Sequence, residues 1–254
     1  MEPVKVIPCL DMKDGRVVKG VHFVALRDAA DPVEAARAYS DGGADEIAFL
    51  DITATVEKRR TMFDVLKKVA AVVKVPLTVG GGIKSIADIE EALSSGASAV
   101  SISSAAYRDP AMVAEAVEKF GSGKIVIAID VDRNAELASK REVYIDGGRT
   151  ATGKDAVAFA VEMAKIGAGR ILPTSKGADG TKAGYDIDVT RAIADATGLP
   201  VIASGGAGKL EHFYEAVRDG HASAVLAASV FHFGTFTVRQ VKEYLKKKGV
   251  AVRL

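Results

Sequence analysis

The stretch Lys5-Val6-Ile7-Pro8-Cys9-Leu10-Asp11 decides the fold, because it is a short apolar run that ends in a carboxylate. A run of this length and composition is typical of a buried β-strand. The same pattern returns at Lys124-Ile125-Val126-Ile127-Ala128-Ile129-Asp130, and Asp11 and Asp130 lie 119 residues apart in a chain of 254. Two acids at equivalent strand ends of two half-length units predict one active site with twofold internal symmetry.

Similar apolar runs alternate with longer segments of helical periodicity along the whole chain. The strands predicted from these runs cover residues 4–10, 46–51, 76–79, 99–102, 124–130, 170–173, 200–203 and 224–227. The predicted helices cover residues 31–39, 62–73, 85–94, 109–120, 154–166, 188–197, 211–218 and 237–248. We expect a long polar loop after the first strand and a small hairpin within residues 131–152. We expect Pro173 to mark the end of the sixth strand, because proline has no N–H to donate to a neighbouring strand.

Eight strand–helix units in this order predict an α/β fold with parallel strands, and their number in about 250 residues favours a (β/α)8 TIM barrel. The glycine run Gly80-Gly81-Gly82 recurs as Ser204-Gly205-Gly206, with 124 residues between Gly82 and Gly206. This agrees with the spacing of the two acids within loop-length variation. We therefore predict a single domain over residues 1–254 with a twofold (βα)4 repeat, its half-barrels covering roughly residues 1–122 and 123–254.

The charge, cysteine and histidine content of the chain excludes several classes of protein. The net charge is +1 and the apolar fraction is 48%, so the charge balance gives no case for binding nucleic acid or an anionic membrane. A single cysteine and the absence of a signal-peptide core before Asp11 predict a cytoplasmic protein. The four histidines lack metal-ligand spacing, so we expect no metal site. We also expect no cofactor.

Catalytic groups of such barrels lie at the carboxyl ends of the strands. Facing carboxylates such as Asp11 and Asp130 suit general acid–base catalysis, although strand-end acids also cap loops. The two glycine runs let backbone N–H groups approach an anion, and they equally suit tight turns. Occurring twice in register, and with serines at neighbouring strand ends, they favour a substrate that carries a phosphate at each end.

Several longer motifs resemble the cyclase subunit of imidazole glycerol phosphate synthase over essentially the full chain. These motifs are Cys9-Leu10-Asp11, Lys13-Asp14-Gly15-Arg16-Val17-Val18-Lys19-Gly20, Phe49-Leu50-Asp51-Ile52-Thr53-Ala54, Val79-Gly80-Gly81-Gly82-Ile83, Ala128-Ile129-Asp130, Asp179-Gly180-Thr181-Lys182, Ile202-Ala203-Ser204-Gly205-Gly206-Ala207-Gly208 and Ser229-Val230-Phe231-His232-Phe233. The resemblance implies a lyase of histidine biosynthesis. Ammonia from a glutaminase subunit, expected as a heterodimer partner, would attack a bisphosphorylated ribulosyl aminoimidazole-carboxamide nucleotide. The products would be imidazole glycerol phosphate and aminoimidazole carboxamide ribotide.

Residue by residue, the resemblance makes Asp11 and Asp130 the acid–base pair. One phosphate would be held by Gly82, Ser103 and Ser104. The other would be surrounded by Asp179, Gly180, Gly205, Gly206, Ala228 and Ser229. Lys19, Asp51 and Thr174 complete the predicted substrate contacts.

The chain departs from the family pattern at a few positions. Ser103 stands where relatives usually carry asparagine, and Gly177, next to Lys176, stands where they carry an acid. The ammonia gate of the family consists of two bases and two acids, and the matching positions here are Lys5, Glu46, Ala99 and Arg170. These residues cannot form the same ring of salt bridges.

Three other functions compete with the cyclase. The first is the sister isomerase, which performs an Amadori rearrangement on a related bisphosphate with the same two acids. The second is a catalytically weakened phosphate-binding barrel or partner protein. The third is a cyclase-like enzyme that delivers ammonia to a different phosphosugar.

Overall fold

The computed structural model describes residues 2–13, 16–21, 24–51 and 56–254, and for residues 13, 19–21, 24–30 and 56–61 it describes the backbone alone. The strands are β1 Lys5–Lys13, β2 Arg16–Val21, β3 Val24–Ala30, β4 Ile47–Asp51, β5 Leu77–Gly80, β6 Ala99–Ile102, β7 Ile125–Arg133, β8 Arg141–Ile145, β9 Thr150–Asp155, β10 Arg170–Ser175, β11 Ile202–Ala203 and β12 Ala224–Ala227. The helices are α1 Pro32–Asp41, α2 Val56–Ala70, α3 Ile86–Ser94, α4 Ser104–Arg108, α5 Pro110–Phe120, α6 Ala156–Ile166, α7 Ile187–Thr197, α8 Leu210–Arg218, α9 Ser229–His232 and α10 Val238–Lys247, with a 3-10 turn at Ser122–Lys124.

These elements form two compact units, one made of Met1–Ser101 with Leu226–Leu254 and the other of Ile102–Val225. In the first unit β1, β4, β5 and β6 pair in parallel, in that order. The side chains of Val6, Leu10, Phe49 and Val79, which share one face of these strands, are fully buried. Helix α10 packs against β1, so that the end of the chain covers its beginning.

In the second unit β7 pairs in parallel with β10 on one side and antiparallel with β8 on the other. Strand β9 extends this sheet beyond β8, and β11 pairs in parallel with β12. The predicted hairpin within residues 131–152 is therefore confirmed. Within the part of the chain that the structure describes, none of the helices has both the length and the apolar composition needed to cross a membrane.

Helix starts follow the sequence signals closely. Asp31 accepts hydrogen bonds from the backbone N–H groups of Val33 and Glu34 at 2.9 and 3.1 Å, and Pro32 occupies the first turn of α1. Ser85 caps α3 and Asp109 caps α5 in the same way, each accepting from an N–H of the first turn. A polar side chain at this position satisfies a donor that the helix itself leaves unpaired.

Both strands that carry the candidate acids continue past them, where the sequence predicted an end. Beyond Asp11, β1 pairs with the antiparallel β2 through Met12 and Lys13. Beyond Asp130, β7 pairs with β8 as far as Arg133. The predicted polar loop after the first strand is therefore wrong, because residues 16–21 and 24–30 form an antiparallel pair instead.

The prediction that Pro173 ends its strand is also wrong, since β10 continues to Ser175. The N–H of Ile171 donates to the carbonyl of Pro200 at 3.1 Å, and residues two apart on a strand direct their N–H groups to the same side. Pro173 therefore lacks an N–H on the side of β10 that faces residues 200–204. This segment contacts β10 only through two isolated bridges, Ile171–Val201 and Thr174–Ser204, so no regular ladder is interrupted there. On its other side Pro173 pairs in register with Ile129 of β7.

Short or weakly periodic helical turns were missed. Helix α2 begins at Val56, before the predicted residue 62, and neither α4 nor α9 was expected. Each of these two short helices directly follows a predicted strand. The division into half-barrels at residue 122 stays a prediction.

A buried ion pair fastens α10 to the amino-terminal part of the first unit. Lys242 Nζ lies 2.8 Å from Asp45 Oδ1, with side chains only 4% and 9% exposed, and it donates to the carbonyl of Gly43 at 2.6 Å. The other oxygen of Asp45 accepts the N–H of Val6 at 2.9 Å. The pair therefore links the last helix, the turn before β4 and the start of β1.

Replacing one partner would leave a buried carboxylate without its cation. We expect Lys242→Met to lower the free energy of unfolding by about 3 kcal/mol. The matched control is Lys74→Met, which removes an exposed pair with Asp41 and should change stability by less than about 0.5 kcal/mol. Chemical denaturation of both variants measures the difference, and equal stabilities would contradict a stabilising role for the buried pair.

Candidate functional site

Asp11 is a buried carboxylate in the first unit, 6% exposed. It lies opposite Leu50 in the parallel pairing of β1 with β4. Cys9, two residues earlier on the same face of β1, donates a hydrogen bond from its thiol to Asp11 Oδ1 at 3.1 Å. The thiol thereby fixes the orientation of the carboxylate.

A chain of hydrogen bonds from Tyr39 through His232 supports the backbone of Cys9. His232 Nε2 lies 3.0 Å from the carbonyl oxygen of Cys9, and its Nδ1 lies 2.7 Å from the hydroxyl of Tyr39. A carbonyl only accepts, so Nε2 carries a proton, and in the neutral imidazole Nδ1 then accepts a hydrogen bond from the tyrosine hydroxyl. Burial, together with the nearby Cys9, raises the pKa of Tyr39, which keeps its hydroxyl a donor.

Asp51 and the first glycine run lie in the same unit. Asp51 is 9% exposed and pairs in register with Met12, one residue beyond Asp11. Gly81 has φ +94°, and a Cβ placed on it would lie 2.0 Å from the carbonyl oxygen of Asp51. Close backbone packing therefore requires glycine at position 81, whereas Gly82 has φ +69° and is half-buried.

Ala228 and Ser229 stand at the start of α9, also in this unit. The carbonyl of Ala228 accepts from the N–H groups of Phe231 and His232 at 3.0 Å each, and both Ala228 and Ser229 are half-buried. Lys19 belongs to β2 by its backbone, and its side chain lies outside the described residues.

Asp130 lies in the second unit, on the face of β7 that also carries Asp132. Its register partners are Thr174 on β10 and Tyr144 on β8. Removal from water raises the pKa of Asp130 to about 6, with Lys176 acting in the opposite direction and Asp179 adding to the rise. This carboxyl group can therefore take up or release a proton near neutral pH.

Sequence reasoning missed two neighbours of Lys176. Its Nζ lies 3.5 Å from the centre of the Tyr144 ring and 3.5 Å from Asp132 Oδ2. The signal was available, because Asp130, Asp132, Glu142 and Tyr144 alternate along two strands at the period of a single face. Only the pairing of these strands, however, brings them together.

Ser103 and Ser104 open α4 in the same unit, and both are half-buried. The hydroxyl oxygen of Ser104 accepts the N–H of Asp146 at 2.9 Å, in the turn between β8 and β9. Arg108 holds the Asp146 carboxylate through two contacts of 2.8 Å and lowers its pKa. This turn is thus fastened to the helix that carries both serines.

The second glycine run is packed against the loop that follows β10. Gly206 has φ +102°, and a Cβ there would lie 2.0 Å from the carbonyl oxygen of Gly184. The N–H of Gly184 in turn donates to the carbonyl of Gly206 at 2.8 Å. Gly205 lies beside Asp179, whose N–H donates to the carbonyl of Ser175 at 2.9 Å. Gly180, with φ +76°, follows Asp179 in this loop.

The predicted gate residues lie at the amino ends of their strands. In the first unit, Lys5 Nζ lies 3.3 Å from Glu46 Oε2, and Glu46 Oε1 accepts the hydroxyl of Thr78 at 2.5 Å. Glu46 is 1% exposed, and the buried Ala99 pairs in register with Thr78. Arg170, half-buried at the start of β10, belongs to the second unit. Among the described residues, no three His, Cys, Asp or Glu side chains are grouped to hold a metal ion.

The raised pKa of Asp130 predicts a pH-dependent cost to stability. The folded state holds this proton more tightly than the unfolded chain, whose value is 3.8, so stability is lost as pH rises from about 4 to about 6. Asp130→Asn should therefore raise the free energy of unfolding at pH 8 by up to about 3 kcal/mol, and much less at pH 4. Denaturation at both values, with Asp41→Asn as the exposed control, measures the effect, and an equal gain at both pH values would contradict it.

Comparison with known families agrees with these features. Residues 5–237 match the family model described as "Histidine biosynthesis protein". This family consists of enzymes, either isomerases or cyclases, with the TIM-barrel fold, which confirms the predicted α/β class. The chain therefore belongs to the histidine biosynthesis protein family of (β/α)8-barrel enzymes.

Proposed function

We propose that this protein is a cytoplasmic, ammonia-dependent cyclase of histidine biosynthesis. Its substrate would be a bisphosphorylated ribulosyl aminoimidazole-carboxamide nucleotide, cleaved to imidazole glycerol phosphate and aminoimidazole carboxamide ribotide. The observation that carries the proposal is the support of Asp11 by His232. This histidine belongs to the run Val230-Phe231-His232-Phe233, which favours the cyclase over the sister isomerase, and it bonds the backbone of Cys9 beside the candidate acid.

The chemistry requires several proton transfers. Addition of ammonia to the ribulosyl carbonyl needs a proton for the oxygen and removal of one from the nitrogen, and one water leaves as the imine forms. The new nitrogen then attacks the formimino carbon to close the imidazole ring, and the bond from that carbon to the amine nitrogen of the carboxamide ribotide breaks as this nitrogen takes up a further proton. Two carboxyl groups can divide these tasks when they differ in proton affinity.

Asp11 and Asp130 have different surroundings. Asp11 accepts a thiol hydrogen bond on a buried strand, whereas Asp130 has a pKa of about 6. We assign Asp130 the transfers that need both uptake and release of a proton near neutral pH. We assign Asp11 the role of its counterpart, held in one orientation by Cys9.

The two phosphates of the substrate would be bound by backbone N–H groups and hydroxyls. Gly82, Ser103 and Ser104 would hold one of them. Because Ser104 Oγ already accepts the N–H of Asp146, its own proton remains available for a phosphate oxygen. The other phosphate would be surrounded by Asp179, Gly180, Gly205, Gly206, Ala228 and Ser229, and Lys19, Asp51 and Thr174 would contact the remainder of the substrate.

A glutaminase subunit would supply the ammonia as a heterodimer partner. Lys5 and Glu46 retain one ion pair of the family's gate, and Glu46 is further bonded by Thr78. Ala99 and Arg170 remove one charge and reverse another relative to that gate. We therefore expect ammonia transfer to be less tightly coupled to glutamine hydrolysis than in a complete gate.

Substitution of either acid tests the catalytic assignment. Asp11→Asn and Asp130→Asn should each lower turnover by about 100-fold or more, because they remove proton transfer and keep the shape of the side chain. Affinity for a bisphosphate substrate analogue should change by less than about threefold, since phosphate contacts are retained. Asp41→Asn, an exposed acid of the first unit, should leave both quantities unchanged. Undiminished turnover in either active-site variant would remove that residue from the mechanism.

A substrate assay tests the reaction itself. The purified protein with the ribulosyl nucleotide and an ammonium salt should release aminoimidazole carboxamide ribotide, and glutamine with a glutaminase subunit should replace the salt with lower efficiency. Turnover of the isomerase substrate without ammonia would instead support the sister isomerase. Binding of the bisphosphate without turnover of either substrate would support the phosphate-binding barrel.

A further inference from the structure

Lys176 occupies a seat formed by three parts of the second unit. Its ammonium lies over the face of Tyr144, 3.5 Å from the ring centre, and 3.5 Å from Asp132 Oδ2. The stem of the lysine runs past Gly148, where an added Cβ would lie only 3.1–3.4 Å from its carbons. The aromatic face, the carboxylate and the bare glycine together fit a long cationic side chain.

The backbone on both sides of this seat is fixed. The N–H of Lys176 donates to the carbonyl of Val131 at 2.9 Å, which continues the pairing of β10 with β7. The N–H of Arg133 donates to Asp132 Oδ1 at 2.8 Å, leaving Oδ2 toward the ammonium. The position of the charge is therefore set by the sheet.

Stability alone does not account for this arrangement. The Lys176 and Asp132 side chains are 28% and 37% exposed, and a pair of that exposure contributes about 0–1 kcal/mol. The residue on which Lys176 can act is Asp130. Asp130 pairs in register with Thr174 and Tyr144 and lies on the same face of the sheet as their side chains. Lys176 lies two residues beyond Thr174, the register partner of Asp130, and two residues of extended chain span about 7 Å, so the lysine charge lies within electrostatic reach of Asp130.

We propose that Lys176 is a positioning residue for Asp130, whose ammonium, held between Tyr144 and Asp132, favours the ionised carboxylate of Asp130 in neutral solution. The inference rests on the proposed function for its catalytic meaning, but the electrostatic effect does not depend on that function. Lys176 also opposes the burial of Asp130 in setting its pKa.

Other groups of this unit face Asp130 as well. Asp132 lies on its own strand, Glu142 and Tyr144 lie on β8, and Asp179 follows β10. Glu142 is engaged by Asn134 and by the N–H of Gly153. Helices α5 and α6 pack against β7, and the residues they bury are all apolar. Lys176 thus supplies the positive charge among several acids.

Removing the charge should shift the titration of Asp130 upward. The chemical shift of the Asp130 carboxyl carbon, assigned by its absence in Asp130→Asn, reports the midpoint in the intact chain. We expect Lys176→Met to raise that midpoint by about one pH unit, because an opposite charge at this range is lost. Lys176→Arg should restore most of the original value. Tyr144→Phe, which keeps the ring, should change it less than Tyr144→Leu.

Lys154→Met is the matched control, because Lys154 also lies over an aromatic ring, that of Phe159, and pairs with Glu162. It should leave the Asp130 midpoint unchanged, and circular dichroism should show that every variant is folded. An equal midpoint in Lys176→Met and the parent chain overturns the proposal.

Activity separates this inference from the proposed function. In an active cyclase, the acidic limb of the pH profile of kcat/KM should move to higher pH in Lys176→Met, by as much as the titration midpoint of Asp130 moves. The maximal kcat/KM on the plateau of that profile should stay the same. A midpoint that moves in a chain without cyclase turnover supports the role of Lys176 and overturns the cyclase. An unmoved midpoint in an active enzyme overturns the role of Lys176 and leaves the cyclase intact.

Discussion

A buried strand must pair its backbone N–H and C=O groups, and this constraint governs where both candidate acids lie. At Asp11 and Asp130 the parallel neighbours β4 and β10 still provide partners. Just beyond each acid an antiparallel strand joins the ladder, β2 beside β1 and β8 beside β7. Each acid is therefore held inside a continuous strand, with less freedom than a residue in a loop would have.

The two acids acquire different properties from different surroundings on this common framework. The supporting contacts described for Asp11 are a thiol and, behind it, a backbone carbonyl, an imidazole and a phenol. Around Asp130 they are charged, with Lys176 among several acids. In each unit the acid thus lies within a continuous strand, while the side chains around it differ. This is what a division of proton-transfer tasks requires.

The sequence was informative where the cause is local. Three helix starts were predicted correctly from their N-cap residues, Asp31, Ser85 and Asp109, because a cap acts within one turn. The apolar runs before the two acids likewise predicted their strands. The extension of those strands could not be predicted, because it depends on antiparallel partners whose identity the local pattern leaves open. The contact between His232 and Cys9 joins residues 223 positions apart, and the seat of Lys176 requires three strands in register. Such contacts carry no periodic signal in the sequence.

The composition of the two compact units has a consequence for synthesis on the ribosome. The unit Ile102–Val225 is continuous, so all of its residues are available before the end of the chain is translated. The other unit combines Met1–Ser101 with Leu226–Leu254, and the N–H of Val4 donates to the carbonyl of Ala251 at 2.8 Å. The contact of Val4 with Ala251 and the Lys242–Asp45 pair can therefore form only after residues 226–251 have been translated. The unit around Asp130 is therefore complete in sequence before residues 226–254 of the unit around Asp11 are translated.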